Sequence, residues 1–262
     1  EGGEAATLHS VRPAERREHV RLGTDLMPRL FAEAMSFTPD ASRVLYVTSD
    51  YYYDGELYSE PVDGSGPPVH LNGPPGPAGR VASGAEVVVL LPGGQRVAFL
   101  ASAASPDLGL FIAPVGGSSP ALLLTADLGV WQGLDHSADG SLIALRAWSS
   151  ELGLYVVPSD GSAPPLRVDT GESPEDDFEL AADGSLVVFR GRGCCGQRVL
   201  FLGPSARSLA PRKLNAPLPD GADVTGFVLA PDWTRAVYLG DQTADGRFEL
   251  YTVLLDGSAP PV

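Results

Sequence analysis

Within residues 37–64, FTPDASRVLYVTSDYYYDGELYSEPVDG, runs of β-branched and aromatic residues are punctuated first by Pro-Asp and then twice by Asp-Gly. Asp offers a local side-chain acceptor and Gly a positive φ, the two needs of type I and type I′ hairpins. The pattern predicts short antiparallel strands joined by tight turns, with Val44 to Val47 and Leu186 to Phe189 as examples of the strand runs.

That stretch has four relatives, beginning at Leu90, His136, Leu180 and Leu229. Aligned on Asp40, Gly93, Asp139, Asp183 and Asp232, the units are spaced by 53, 46, 44 and 49 residues. Each repeats the same order: an apolar segment, a turn, a β-branched and aromatic run, a variable loop, a third run such as ELYSEP or GLYVVP, a turn such as Asp-Gly-Ser, and a short fourth run. That is a four-stranded meander. Units of about 40 to 50 residues that cannot bury both faces alone stack radially. The expected fold is all-β: a β-propeller of four-stranded antiparallel blades in a single domain, 1–262. Its repeats run approximately 30–72, 84–125, 130–170, 175–215 and 223–262. The stretch TLHSVRPAERREHVRL aligns with ELYSEPVDGSGPPVHL, so 7–22 adds an N-terminal half blade supplying a third and a fourth strand. Val44, Tyr46, Val97, Phe99, Ile143, Val187, Phe189 and Tyr238 are the expected interior.

The segments FTPDASRVLYV, HSADGSLIALR and LAPDWTRAVYL, each followed by LY and DGS, resemble the Pro-Asp-Gly repeats of TolB-like six-bladed β-propellers. The resemblance covers all but roughly the first 7 residues. It implies six blades, and it implies little about activity, because the fold hosts many unrelated tasks. The chain departs from it at Pro92-Gly93-Gly94 and Pro204-Ser205-Ala206, where a turn Asp or Asp-Gly is lost. Five units and a half give about 22 strands where a closed six-bladed ring has about 24. The expectation is a fragment of a longer chain, a five-bladed ring closed by EHVRL as an outer strand, or an open ring that self-assembles through its incomplete blade edge.

Charge narrows the partners. There are 33 acidic against 18 basic residues, a net of −15, and Lys213 is the single lysine. Such a field repels phosphate backbones and excludes nucleic acid as an expected partner; otherwise it serves solubility. The 31 glycines and 24 prolines recur between apolar runs, as turns of a strand-rich fold do. No apolar run approaches the roughly 18 to 20 residues of a transmembrane segment. The N-terminal EGGEAATLHS lacks the basic and apolar regions of a signal peptide, so the chain is expected to be cytosolic or to have a leader outside this sequence. Low lysine, acidity and an adjacent cysteine pair favour an oxidising setting, extracellular or periplasmic, at the cell envelope.

Seven residues before the turn position in each unit stand Glu33, Glu86, Gln132, Asp176 and Thr225, equivalent positions at the start of the innermost strand. Around a channel mouth they could hold a calcium-type cation, with Glu33, Glu86 and Asp176 as the charged ligands, or an amine; the plain alternative is a solvated mouth. The loops between second and third strands open at that end. One carries Tyr51, Tyr52 and Tyr53 between Asp50 and Asp54, either a contact surface for sugar or protein or rings that cover the loop. Another carries Cys194 and Cys195, which form either a vicinal disulfide, permitted by Gly193 and Gly196, or two thiols. Two cysteines are too few for a structural zinc site.

No nucleophile elbow, phosphate loop or His-Glu-x-x-His metal helix is present. His9, His19 and His70 fall in outer-strand pieces, and His136 is expected to be buried and satisfied. Asp135 beside it, and Asp176, Asp177 and Glu179, are acidic neighbours whose chemistry depends on their separation. The expected function is a non-enzymatic TolB-like propeller that binds a protein partner or ligand on its loop-bearing face. The alternatives are the accessory or gating propeller of a prolyl oligopeptidase-type hydrolase, and a structural subunit of an extracellular assembly completed by strand exchange.

Overall fold

The computed structural model describes residues 8–11, 19–22, 35–49, 55–73, 78–82, 87–102, 107–169, 171–193, 196–205 and 210–262. Their regular structure is strand alone. The chain divides into two compact units, Glu1–Val130 and Trp131–Val262.

The first unit contains an antiparallel pair, β1 (Leu8–Val11) with β2 (His19–Leu22), in the stretch expected to be a half blade. Its first four-stranded sheet runs β3 (Met35–Phe37), β4 (Arg43–Ser49), β5 (Gly55–Pro61) and β6 (Val69–His70). A second runs β7 (Val88–Leu90), β8 (Arg96–Ser102), β9 (Leu108–Pro114) and β10 (Leu122–Leu123). Val81 bridges Gly55 of one sheet and Ala101 of the other. A Cβ on Gly55 would lie 2.7 Å from the Val81 carbonyl oxygen, so this approach requires glycine.

The pattern continues with β11 (Gly129–His136), all but its first two residues in the second unit, β12 (Leu142–Trp148), β13 (Leu152–Pro158) and β14 (Leu166–Arg167). Then come β15 (Ser173–Leu180), β16 (Leu186–Arg192), β17 (Arg198–Pro204) and β18 (Arg212–Lys213), and last β19 (Val224–Leu229), β20 (Arg235–Gly240) and β21 (Glu249–Leu254). In the last sheet Thr252 and Val262 exchange both backbone hydrogen bonds, at 2.9 and 3.0 Å, where the other sheets begin their fourth strand. Its outward side carries Val228, Leu239 and Leu250, all exposed; Leu200, the counterpart of Leu250 in the preceding sheet, is buried.

The expected turns form. The first hairpin of each repeat closes through one backbone bond: Ala41 N–H to Thr38 O at 2.7 Å, Gly94 to Leu91 at 3.0 Å, Gly140 to Ser137 at 2.9 Å, Gly184 to Ala181 at 2.7 Å and Trp233 to Ala230 at 2.9 Å. All five donors have positive φ, Ala41 and Trp233 included. Where the Asp is lost, Gly93 and Gly94 both take positive φ; Ala206 lies outside the described residues.

Facing strands pair aromatics directly. Tyr46 and Tyr58, Phe99 and Phe111, Phe189 and Phe201, and Tyr238 and Tyr251 are cross-strand partners, stacked at 5.3 to 5.8 Å. The sheets then bury against their neighbours: Val187, Phe189, Val199 and Phe201 share a core with Ala144, Leu154 and Val156, and Val188 and Leu200 share the next with Ala236, Tyr238 and Val253. A polar clamp recurs just beyond the fourth strand. Asn72, Thr125, Asp169 and Asn215, all buried, accept the backbone N–H of Leu57, Leu110, Leu154 and Leu200 at 2.7 to 2.9 Å. Each clamp supplies a partner for a buried third-strand donor that would otherwise be orphaned.

Candidate binding site

In the second unit, β11, β15 and β19 start at the end where the loops joining β12 to β13 and β16 to β17 emerge. Their regular geometry breaks at or beside the positions singled out from the sequence. Pro174 pairs with Gly191 and Phe178 with Phe189, so Glu175, Asp176 and Asp177 bulge opposite the single Arg190. Thr225 is the extra residue between Val224 and Gly226 in β19. Gln132 lies in β11 beside Gly133, whose φ of 77° interrupts that strand; a Cβ on Gly133 would come within 2.9 Å of the Phe178 ring. Bulges twist a strand and re-aim side chains, and they gather near functional sites.

Each carboxylate of the β15 bulge meets an arginine. Asp176, 83 % exposed, pairs with Arg146 Nη1, and Arg146 itself is 7 % exposed. Asp177 accepts from Arg190 Nε, and Arg190 also donates to Val224 O at 3.1 Å, tying β16 to β19. Glu175 lies 2.8 Å from Arg192 Nε and 3.4 Å from Arg198 Nε, while Arg198 Nη1 bonds Asp223 at 2.9 Å. Among the described residues, Arg146 Nε and Asp177 Oδ1 are buried without a hydrogen-bond partner. Burial pushes the Arg146 guanidinium below its ordinary pKa, against the pull of the Glu175 and Asp177 charges. Deeper along the same strands, Asp135 accepts the N–H of His136 at 2.8 Å and of Leu180 at 2.6 Å, clamping β11 to β15. Partial burial, and then the Asp135 charge, raise the pKa of Glu179.

Trp131 of β11 and Trp148 of β12 stand at this end in edge-to-face contact, ring centroids 6.4 Å apart. They are 55 % and 45 % exposed and are two of the chain's three tryptophans. The sequence reading passed over both, and over Arg146. Trp148 stands where the sister runs have Ser49, Ser102 and Arg192, and Arg146 stands where two of them have Val47 and Leu100 and the third has Arg190.

Thr225 is exposed and donates to Leu239 O at 3.3 Å. Glu33, Glu86, Asp50, Tyr51, Tyr52, Tyr53, Asp54, Cys194 and Cys195 lie outside the described residues. Among the described residues, no group of three or more His, Cys, Asp or Glu side chains is placed to hold a metal ion. His9 and His19 fall in β1 and β2, and His70, in β6, stacks on Tyr58 at 4.7 Å. His136 is half-buried rather than buried, since it ends a strand at a turn; its Nδ1 lies 3.0 Å from Ser137 O.

Solved structures share this architecture. A TolB protein of Agrobacterium tumefaciens matches with a TM-score of 0.52 and 16 % identity, over 89 % of this chain and 80 % of that one. An oligogalacturonate lyase of Vibrio parahaemolyticus matches at 0.54 and 13 %, over 87 % of this chain and 63 % of its own. A puromycin-hydrolysing peptidase of Mycobacterium tuberculosis matches at 0.56 and 17 %, over 95 % of this chain and 41 % of its own. No protein-family model and no curated protein matches. The chain has a TolB-like β-propeller fold. At these identities the likeness concerns the fold, and the activities of the lyase and the peptidase are those proteins' own.

Proposed function

We propose that the chain is a protein-interaction propeller that binds its partner, without turning it over, at the loop-bearing end of the second unit. The observation that carries this reading is the exposed Trp131–Trp148 pair. Tryptophan is a costly residue to leave in water and is among the commonest energetic anchors of protein interfaces. The TolB likeness and the acidic, lysine-poor composition favour a location at the cell envelope. A second reading, the accessory propeller of a prolyl oligopeptidase-type hydrolase, is favoured by the peptidase match, of which this chain spans 41 %.

Affinity capture from an extract of the source cells tests the first reading. Wild type and a control altered at the opposite end, Asp160→Asn, should retain the same partner, and Trp131→Ala/Trp148→Ala should lose it. Equal retention by all three proteins contradicts the reading, and a hydrolase domain found in the full-length gene favours the second.

A further inference from the structure

We propose that Trp131, Trp148 and the Asp176 carboxylate form a docking point for a cationic side chain, arginine above all, carried on an extended segment of a protein partner. The proposal rests on the interaction-module reading and specifies its ligand.

The blade does not need indoles at these positions. Eight residues before and nine after the turn aspartate, the β15–β18 sheet has Glu175 and Arg192, which meet in an ion pair at 2.8 Å. In the first unit the later position is Ser49 or Ser102. In the last sheet the two positions are Val224 and Asp241, both buried. Residues other than indoles therefore serve the fold, whereas the β11–β14 sheet places two large rings there and leaves them about half exposed.

Strand periodicity sets their direction. Ala144, Arg146 and Trp148 occupy one side of β12. Ala144 lies in the core shared with Val187 and Phe189, and Arg146 reaches Asp176. Trp148 ends that row, two residues nearer the rim than Arg146, whose partner is Asp176 of the β15 bulge.

Charge selects the occupant. The most open ionic groups here are carboxylates, each with one arginine beside it and most of its surface in solvent: Asp176, 83 % exposed and paired with Arg146, and Glu151, three residues beyond Trp148, 70 % exposed and 3.8 Å from Arg167 Nη1. Arg146 and Arg190 are turned inward, and Arg192 and Arg198 are engaged by Glu175 and Asp223. A planar guanidinium can stack on an indole face while its N–H fork meets a carboxylate. The net charge of −15 raises the encounter rate of a basic segment. An open rim gives a lone small cation few contacts, so the cation is expected on a longer segment that also covers the indoles.

Isothermal titration with a synthetic Gly-Arg repeat decapeptide tests this, against its citrulline counterpart, which keeps the shape and loses the charge. The arginine peptide should bind at least about tenfold more tightly, and less tightly as salt rises. Trp148→Ser, a residue the sister blades already carry, and Glu151→Gln should each weaken it several-fold with the melting temperature unchanged. Asp176→Asn should do the same, and if that variant fails to fold the other two decide. No binding of the arginine peptide at millimolar concentration, or no effect of Trp148→Ser, overturns the proposal. Equal binding of the citrulline peptide overturns the cationic assignment alone; a native partner retained by Trp148→Ser overturns the interaction reading as well.

Discussion

At the turn after β11, the Asp139 carboxylate accepts from the Ser137 hydroxyl and from the Ser141 backbone and hydroxyl, and these bonds hold its pKa at about 2, against an ordinary 3.8. Thr38 and Ser42 do the same for Asp40, also at about 2. A carboxylate depressed in the folded state adds stability above its unfolded pKa and loses that contribution as pH falls towards the folded value. The melting temperature of wild type should therefore drop between about pH 4 and pH 2. Asp139→Asn should melt lower at pH 7 and show a shallower acid limb, read from thermal melts across that range. Backbone strain gives a second expectation. Gly140 has φ 67°, so Gly140→Ala should cost about 1 to 2 kcal/mol in chemical unfolding. Ala41 already occupies the same region at φ 53°, and Ala41→Gly should be neutral or slightly stabilising. These turns were legible in the sequence because Asp, Ser and Gly act within a few residues of themselves. Trp148 departs from its sister positions in the sequence, but the exposure that gives the pair its meaning was not legible, because a tryptophan inside an apolar run reads as core until the sheet is seen to end there.

Between strands, stacked aromatics and polar clamps divide the work. Phe189 is fully buried against Phe201, and Phe189→Ala should cost about 3 to 5 kcal/mol and sharply reduce soluble yield. Asn215→Ala strips the Leu200 N–H of its acceptor, which should cost about 1 to 3 kcal/mol and raise hydrogen exchange at Leu200 first. The repeated order of four runs made these sheets readable, and the expected interior positions Val44, Tyr46, Val97, Phe99, Ile143, Val187, Phe189 and Tyr238 are all buried. The ion pairs of the β15 bulge were not readable. Arg146 and Asp176 are 30 residues apart, and only the stacking of one sheet on the next brings them together. Counting back from the turn nonetheless reached Asp176 and Thr225, because these two repeats keep the same spacing from turn to bulge.

For the molecule, a likeness shared with a TolB protein, a lyase and a peptidase means that the fold does not by itself fix the function. An exposed apolar sheet side is an association liability, so Leu250→Glu should reduce the aggregate formed on concentrating the protein, measured by light scattering. If a protein partner engages the tryptophan end of the second unit, hydrogen exchange of the protein, alone and with its captured partner, should show protection concentrated in residues 130–132, 148–152 and 173–178. Protection confined to the turns at Asp139, Asp160 and Asp183, at the opposite end of the same sheets, would contradict it.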